Sequence, residues 1–231
     1  MKVIDNKALL LRLRDPSKVT DVIPKSKELS GNRVVVNWGV DEAHVLKNLD
    51  IHAPSPIEGK YKWTGKHQPF KHQKTTAGFL TLNKRAFCFN EQGTGKTASA
   101  IWAADFLMNQ GRINRVLVVC PLSIMDSAWR EDLFTFAMHR KVDVAYGTAK
   151  KRAQIIESDA EFVIINYDGV AIASEAIANG GFDLIIVDEA THYKNAQTDR
   201  WKTLNSLLGP DKWLWMMTGT PAAQSPLDAY G

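Results

Sequence analysis

The stretch N-E-Q-G-T-G-K-T, which begins at Asn90, has the composition of a loop that binds phosphate. Its spacing follows the G-x-x-x-x-G-K-[ST] pattern, except that Asn90 stands where the pattern has its first glycine. Gly93 and Gly95 let the backbone curl so that its N–H groups face a phosphate, and Lys96 adds a positive charge for the β and γ phosphates. Since the Thr97 hydroxyl is a natural Mg²⁺ ligand, this stretch predicts a nucleoside triphosphate site.

A phosphate loop needs an Asp that holds Mg²⁺ near the γ-phosphate, and hydrolysis also needs a base for the attacking water. The stretch L-I-I-V-D-E-A fits both needs, because four apolar residues lead straight into Asp188 and Glu189 follows it. A buried strand that ends there places Asp188 at the carboxyl edge of the sheet, where the phosphate loop also lies. We therefore predict that Asp188 holds the metal and that Glu189 approaches the water.

A second acidic pair, Asp41 and Glu42, is followed by Ala and His and so spells D-E-A-H. Asn37 and Gly39 interrupt the apolar run before it, and the stretch H-V-L-K-N-L after it is typical of a short helix. We interpret Asp41 as the N-cap of that helix and Glu42 as favourable at its positive end. The pair also lies upstream of the phosphate loop, so we predict a structural role for it.

The sequence contains six apolar runs, each short enough to be one strand, which would position the phosphate loop and the acidic residues. They are R-A-F-C-F, R-V-L-V-V-C, K-V-D-V-A-Y, F-V-I-I-N-Y, D-L-I-I-V-D and W-L-W-M-M-T, with amphipathic stretches between them. Strands that are apolar at nearly every position are buried on both faces, as parallel strands covered by helices are. The alternation of strand and helix predicts a doubly wound α/β domain with a parallel sheet.

Residues 1–59 follow a different pattern. They contain the short strand-like runs A-L-L-L-R-L-R and R-V-V-V-N-W, separated by turn residues, and the stretch A-P-S-P is typical of a linker. We predict a small N-terminal appendage with short strands over residues 1–59 and the α/β domain over residues 60–231. A length of 231 residues with 45% hydrophobic content is enough for one substantial core and such an appendage.

Composition narrows the class of protein further. The N-terminal residues contain no apolar segment as long as that of a signal peptide or a membrane span, so an intracellular location is the default expectation. Cys88 and Cys120 are the only cysteines, and each lies in an apolar run without a metal-ligand neighbour at short spacing. We predict that both are reduced core residues.

The net charge of +4 is modest, but its distribution is uneven. Residues 60–90 contain seven Lys or Arg and no Asp or Glu, with Tyr61, Trp63 and Phe70 interleaved. Basic residues with aromatic neighbours suit the phosphates and bases of nucleic acid. The alternative is a solvated loop that leads into a basic helix face, and composition leaves both interpretations open.

Seven motifs, in the same order along the chain, resemble those of the Swi/Snf-type DNA-dependent ATPases of helicase superfamily 2. Q-G-T-G-K-T resembles motif I, D-E-A-T-H-Y-K-N resembles the extended motif II, and T-G-T-P resembles motif III. P-L-S-I-M-D-S-A-W resembles motif Ia, and P-F-K-H-Q resembles the upstream glutamine motif. Y-G-T-A-K-K-R and N-Y-D resemble two further signatures. Together they imply that residues 60–231 form the first RecA-like lobe of a double-stranded DNA translocase, a P-loop NTPase that uses ATP and Mg²⁺.

The resemblance assigns nucleotide and metal roles to particular residues. Gln73 would bind the adenine edge, and Asp188 and Thr97 would hold Mg²⁺. Lys96, Asp188 and Glu189 would form the catalytic set, with Glu189 as the base. The triphosphate would be held by the phosphate-loop residues Gly93, Thr94, Gly95, Lys96 and Thr97.

The resemblance also assigns coupling and DNA contacts. Thr218 and Thr220 would couple the nucleotide state to movement of the lobes, and Thr191 stands where the family has the motif II histidine that helps this coupling. Contacts with the phosphates of double-stranded DNA would come from Pro121, Leu122, Ser123, Lys151 and Arg152. For Lys151 and Arg152 a solvated helix face is an equal alternative.

The family continues into a second RecA-like lobe that supplies an arginine finger, which contributes about 10³ to 10⁵ in rate. Within these 231 residues we find only the first lobe, so we expect weak ATP·Mg²⁺ binding and slow turnover from the chain alone. Two alternatives remain. One is a strand-separating DNA or RNA helicase, which the K-N after motif II disfavours, and the other is a non-catalytic nucleotide-sensing module that docks on DNA.

Overall fold

The computed structural model describes residues 1–219. Within this range the strands are β1 (Lys2–Ile4), β2 (Ala8–Arg12), β3 (Lys27–Leu29), β4 (Arg33–Asn37), β5 (Arg85–Phe89), β6 (Val116–Cys120), β7 (Val142–Val144), β8 (Phe162–Asn166), β9 (Leu184–Val187) and β10 (Trp213–Thr218). The α-helices are α1 (Ser17–Thr20), α2 (Val40–Asn48), α3 (Ile57–Lys60), α4 (Lys71–Thr81), α5 (Lys96–Asn109), α6 (Glu131–Phe136), α7 (Ala149–Ile156), α8 (Tyr167–Ile172), α9 (Ser174–Asn179) and α10 (Asp199–Ser206).

The six predicted apolar runs form one parallel sheet with the strand order β5-β10-β9-β6-β8-β7. Every residue of the central strands β6, β8, β9 and β10 is buried, because helices cover both faces. The edge strand β5 is instead exposed at alternate positions, among them Phe87 and Phe89. The prediction of an α/β fold with a doubly wound parallel sheet is therefore confirmed.

Two layers of helix enclose this sheet. On one face α4 and α5 pack with the π-helical turn Met125–Arg130, and α5 is so enclosed that twelve of its 14 residues are buried. On the other face α7, α8, α9 and α10 contribute buried apolar side chains. Cys88 and Cys120 are buried free cysteines, as predicted. None of the helices in residues 1–219 is long and apolar enough to span a membrane.

The N-terminal residues form a separate antiparallel sheet with the order β1-β2-β4-β3. The side chains of Leu9 and Val36 on one face pack with α1 and α2 into a small core. Helix α2 belongs to both cores, because Leu46 lies in the small core whereas Val40 and Ala43 lie in the core of the parallel sheet. The sheet predicted for the appendage is present, and the boundary at residues 59 and 60 stays a prediction.

The helix predicted after Asn37 is present, but the prediction that Asp41 is its N-cap was wrong. Helix α2 begins at Val40 with Gly39 as its N-cap, because burial of Val40 in the larger core brings that residue into the helix. Asp41 therefore lies inside the first turn, where its Oδ1 accepts a hydrogen bond of 2.6 Å from Nη1 of Arg112. This bond and the charge of Arg112 hold the pKa of the Asp41 carboxyl below its usual value.

Replacing Asp41 by Ala removes a largely exposed ion pair, so we expect the free energy of unfolding to fall by at most about 1 kcal/mol. Urea denaturation measures this change. Arg112→Ala is the matched control, because the two single variants and the double variant should all lose about the same amount if the pair is the whole effect. A loss above about 3 kcal/mol from Asp41→Ala alone, on the scale of a broken buried pair, would contradict this role.

Candidate functional site

The predicted phosphate loop joins β5 to the N-terminus of α5. Gly93 and Gly95 have φ angles of 75° and 76°, in the left-handed region that favours glycine. Gly95 is the N-cap of α5, Lys96 is its first residue, and the partly buried Thr97 follows. Two left-handed glycines before the N-terminus of a 14-residue helix form an arrangement that suits a phosphate, because the free N–H groups and the helix dipole both favour negative charge.

Lys96 is held at the mouth of this loop. Its ammonium group donates to the carbonyl oxygens of Asn90 at 2.9 Å and Glu91 at 3.0 Å, and the residue is only 9% exposed. Asn90, which replaces the first glycine of the pattern, donates from its amide to Oγ1 of Thr76 in α4 at 2.8 Å. The Asn90 side chain, which a glycine lacks, thus connects the loop to α4 through a hydrogen bond. The backbone carbonyl of Asn90 still accepts a hydrogen bond from Lys96.

Gln73 connects α4 to the same loop. Its Oε1 accepts from the N–H of Phe70 at 2.9 Å, and its Nε2 donates to the carbonyl oxygen of Thr94 at 3.3 Å. Nε2 of His72 lies 3.1 Å from the same Thr94 oxygen. A Cβ on Gly95 would displace the Gln73 amide from this position, whereas the left-handed backbone angle is what requires glycine here.

A cleft of about 770 Å³ lies beside Gln73. Phe70 is 69% exposed, and its ring stacks on that of His72 with the centroids 5.7 Å apart. The cleft therefore has aromatic groups and amide groups next to a phosphate loop, which suits a purine base. The wall of the cleft comprises Lys71, His72, Thr75, Thr76, Phe89, Asn90, Glu91 and Thr94.

Asp188 directly follows β9, as predicted, and it is only 7% exposed. Its Oδ2 accepts a hydrogen bond of 2.9 Å from Nε1 of Trp129, and its Oδ1 accepts one of 3.0 Å from the N–H of Glu189. Burial raises the pKa of the Asp188 carboxyl, whereas the bond from Trp129 and the positive charge of Lys96 oppose this rise. The charges of Lys96 and Asp188 are thus close enough to interact.

Glu189 has a φ angle of 49°, a left-handed conformation that is uncommon for a residue with a side chain. The Tyr167 hydroxyl donates to the carbonyl oxygen of Asp188 at 2.7 Å and lies 3.4 Å from that of Glu189. Such conformations persist only where the surroundings hold them, and they are concentrated at functional sites. The Tyr167 hydroxyl therefore stabilises the backbone of the acidic pair by hydrogen bonding, while the indole N–H of Trp129 binds the carboxylate of Asp188.

Trp129 lies in the segment that resembles motif Ia, and Tyr167 lies in the N-Y-D segment. The resemblance to the family assigned neither residue a role at the acidic pair. Both are aromatic residues with a polar tip, and both lie shortly after a buried strand, β6 and β8 respectively. A buried Trp N–H or Tyr O–H needs a hydrogen-bond partner, and at that edge of the sheet the partner is the functional pair. In the sequence this requirement signals only that each of the two residues has a partner, and the structure identifies that partner as the acidic pair.

The strand that carries motif III lies between the phosphate loop and the acidic pair. Thr218 is buried at the end of β10, which pairs with β5 on one side and β9 on the other. A Cβ on Gly219 would approach Cγ of Gln92 to 2.8 Å, so this backbone is packed against the loop. Thr191 lies partly exposed in the 3-10 turn Ala190–Tyr193. Thr220 lies outside the described residues, and the coupling roles stay predictions.

The predicted DNA contacts fall into two groups. Pro121, Leu122 and Ser123 follow β6 at the edge that also holds Asp188, and Leu122 is 54% exposed. Lys151 is exposed on α7, but Arg152 is buried.

The guanidinium group of Arg152 donates to the carbonyl oxygens of Gly147 and Ala145 and to Oδ1 of Asn166, at 3.0, 2.6 and 3.0 Å. The interpretation of Arg152 as a DNA contact is therefore corrected: its charge stabilises the turn before α7, and Lys151 remains the candidate.

The donor groups also fit the predicted metal. Mg²⁺ is usually held by one or two carboxylates together with the phosphates of the substrate, instead of by a dedicated protein cage. Residues 1–219 contain no cluster of three or more His, Cys, Asp or Glu side chains that could hold a metal. Asp188 keeps lone pairs beyond its two hydrogen bonds, so it and Thr97 fit a Mg²⁺ ion that is also bound by phosphate oxygens.

The sheet order, the left-handed glycine loop and the buried acidic strand end define a class: the RecA-like lobe of a P-loop NTPase. The chain belongs to the SNF2-related domain family, which matches residues 72–231. This match confirms the Swi/Snf-type resemblance that the motifs indicated, and membership of this ATPase family implies that the chain binds ATP.

Known relatives are similar over much of the chain. An uncharacterized ATP-dependent helicase of Mycoplasma genitalium is 27% identical over 61% of this chain and 14% of its own length. Putative protein p41 of Acyrthosiphon pisum secondary endosymbiont phage 1 is 27% identical over 71% of this chain and 38% of its own length. The chromatin-remodeling ATPase INO80 of Lodderomyces elongisporus is 27% identical over 78% of this chain. The chain spans only 12% of that last relative.

A solved structure has the same fold. The SWI2/SNF2 ATPase core of Sulfolobus solfataricus in complex with dsDNA superposes with a TM-score of 0.63 and 23% sequence identity. The superposition covers 72% of this chain and 35% of that one. At this identity the likeness establishes the fold of the lobe.

Replacing Trp129 by Phe removes the donor to the buried Asp188 carboxylate. Leaving a buried acceptor unpaired costs about 1–3 kcal/mol, and more when the acceptor is charged. Trp102→Phe is the matched control, because Trp102 is equally buried and its Nε1 donates at 2.9 Å to a neutral carbonyl, that of Thr64. We expect Trp129→Phe to lower the free energy of unfolding by more than Trp102→Phe. Equal losses in urea denaturation would show that the charge of Asp188 contributes nothing to this bond.

Proposed function

We propose that this chain provides the ATP-binding lobe of a double-stranded DNA translocase, which couples ATP hydrolysis to movement on DNA or to its remodelling. The observation that carries the proposal is the arrangement along one sheet edge. The phosphate loop, the acidic pair and the exposed Leu122 follow β5, β9 and β6, three strands of the same parallel sheet. Groups for nucleotide chemistry and an exposed candidate for DNA contact therefore share one rigid support.

On the nucleotide side, we propose that Lys96 and the loop N–H groups bind the triphosphate and that Asp188 and Thr97 hold Mg²⁺. The metal would neutralise charge on the β and γ phosphates. Glu189 would orient the attacking water and accept its proton, held in position by the backbone that Tyr167 supports. Gln73 would exchange one of its two hydrogen bonds, from Phe70 or to Thr94, for the adenine edge.

On the DNA side, we propose that Pro121, Leu122, Ser123 and Lys151 contact the phosphates of the duplex. Thr191, Thr218 and Thr220 would transmit the nucleotide state to this edge. The family mechanism closes two RecA-like lobes around ATP, and residues 1–219 contain one parallel sheet. We therefore propose that the 231 residues alone hydrolyse ATP slowly, because an arginine finger from a second lobe contributes about 10³ to 10⁵ in rate.

The variants Lys96→Ala and Glu189→Gln test nucleotide binding and ATP hydrolysis separately. We expect Lys96→Ala to weaken ATP·Mg²⁺ binding at least about tenfold, because it removes a charged hydrogen-bond donor. Glu189→Gln should keep the wild-type affinity and abolish the residual turnover, because it removes only the base. Calorimetry with a slowly hydrolysed ATP analogue measures binding, and phosphate release in the presence of duplex DNA measures turnover.

Lys84→Ala is the control for loss of a lysine, because Lys84 is exposed at the opposite end of β5 and forms only a long surface contact of 3.8 Å with Asp211. Unchanged ATP affinity in Lys96→Ala would contradict the nucleotide site. Unchanged turnover in Glu189→Gln would favour a module that senses nucleotide without this base. DNA-stimulated turnover of about 1 per second or more from the wild-type chain, which is the rate of an ordinary enzyme, would contradict the need for a second lobe.

The adenine contact has its own test in Gln73→Ala. We expect the ratio of ATP affinity to GTP affinity to fall by about two- to tenfold, the worth of one neutral hydrogen bond. His72→Ala is the matched control, since His72 shares the Thr94 carbonyl with Gln73 and lacks its amide. If His72→Ala and Gln73→Ala lower the ratio equally, the effect comes from loosening the loop and the adenine assignment fails.

A further inference from the structure

Within residues 1–219, one face of the N-terminal sheet has no helix packed against it, and its side chains are exposed or half-buried. In an antiparallel pair, directly opposite residues project to the same face, so the strand register determines which side chains share it. The covered face holds Leu9 and Val36 of the small core. The open face holds three rows across the strands: Ile4, Ala8 and Asn37; Lys2, Leu10, Val35 and Lys27; and Arg12, Arg33 and Leu29. We call these residues the open face.

The open face carries four cations and no acidic residue. Lys2, Arg12, Lys27 and Arg33 are all exposed, and among residues 1–219 none of them has a carboxylate oxygen within 4.0 Å. The guanidinium of Arg33 donates to the carbonyl oxygen of Ser30 at 2.9 Å, which orders that side chain without neutralising it. Cations held apart from carboxylates on a rigid sheet are available to an external anion.

The acidic residues of this segment lie elsewhere. Glu28 is opposite Val34, on the side of the sheet that the helices cover. Asp5 lies in the turn between β1 and β2, Asp15 is bonded to Ser17 before α1, and Asp21 caps the end of α1. Residues 1–39 contain eight Lys or Arg and four Asp or Glu, a net charge of +4 that equals that of the whole chain. The segment that forms this sheet is thus net basic, as is the segment of residues 60–90.

We propose that the open face binds the phosphate backbone of double-stranded DNA. Lys2 and Lys27 stand at the two edges of the sheet, three strand spacings or about 14 Å apart. This span is close to the width of the major groove, about 12 Å, so the two edges reach phosphates of both strands. The cations on the face match the negative charge of a duplex, and their arrangement matches its dimensions.

The other side chains of the open face determine the kind of nucleic acid and the mode of binding. Single-stranded nucleic acid is usually held by aromatic side chains on which the bases stack. The open face has only aliphatic residues and Asn37 between its cations, so it offers no stacking surface. Leu10 and Val35 offer no hydrogen bonds to base edges either. We therefore expect the binding to depend mainly on charge.

The test removes the charges of Arg12 and Arg33, which are neighbours in one row, in the variant Arg12→Gln/Arg33→Gln. Anisotropy of a labelled duplex is measured without nucleotide at several salt concentrations. Each lost phosphate contact lowers the slope of log affinity against log salt by about 0.9. Two lost contacts make the fall in affinity between 50 and 200 mM salt about tenfold smaller than for the wild-type chain. Arg12→Lys/Arg33→Lys keeps the charges and keeps the wild-type slope.

Lys18→Gln/Lys47→Gln is the matched control, because these lysines lie on α1 and α2, which cover the opposite face. This control variant also loses two positive charges, and we expect it to keep the wild-type slope of log affinity against log salt. An Arg12→Gln/Arg33→Gln variant with the wild-type melting temperature and the wild-type slope overturns the proposal. An unlabelled single strand that competes as well as the duplex overturns the assignment to double-stranded DNA.

This inference does not rest on the proposed function of the lobe, and two further variants separate them. Lys96→Ala leaves nucleotide-free DNA binding unchanged if the open face acts by its charge. Lys151→Gln removes a candidate contact of the lobe alone. If Lys151→Gln lowers the salt slope and Arg12→Gln/Arg33→Gln does not, the lobe binds DNA and the proposal for the open face is wrong. If only Arg12→Gln/Arg33→Gln lowers it, the open face stands and the lobe contact at Lys151 fails.

Discussion

Burial of the parallel sheet on both faces is the constraint on which the rest of the structure depends. A buried polar group costs free energy unless it is hydrogen bonded, so the central strands are apolar up to their last residue, and polar side chains begin at their carboxyl ends. Because all six strands are parallel, their carboxyl ends lie at one edge. The phosphate loop, Asp188 and Thr218 meet at that edge for this reason, although they are distant from one another in the sequence.

The same burial creates a difficulty that the aromatic residues resolve. A carboxylate as enclosed as that of Asp188 is destabilised by loss of water, which is why burial raises its pKa. Trp129 and the Glu189 N–H supply two hydrogen bonds to the carboxylate, and Lys96 supplies a nearby charge. Tyr167 then holds the strained backbone that follows. Asp188 is thus part of a buried network in which both of its carboxylate oxygens accept a hydrogen bond.

Periodicity predicted the elements, whereas contacts between distant segments escaped it. The six parallel strands were predictable because continuous apolar runs leave few alternatives. The N-cap of α2 was not, since burial of Val40 in a distant core decided where the helix begins. Arg152 looked like one more cation in a basic run, yet its guanidinium donates a hydrogen bond to Asn166 at the end of β8. The partner of Trp129 lies 59 residues away, and the rule that a buried indole N–H needs an acceptor predicts that a partner exists but not which residue it is.

The two sheets differ in how many of their faces are exposed to solvent, and this difference follows from the direction of their strands. A parallel sheet built from crossovers is covered on both faces, so it exposes chemistry only at an edge. An antiparallel sheet joined by short turns needs a core on one face only, and the other face is free to carry charge. Helix α2 contributes side chains to both cores and so ties the open face of one sheet to the lobe that holds the other. A basic face attached in this way would, if it binds DNA as proposed, keep duplex DNA near the lobe through charge, while the proposed contacts that depend on nucleotide lie at the edge of the parallel sheet.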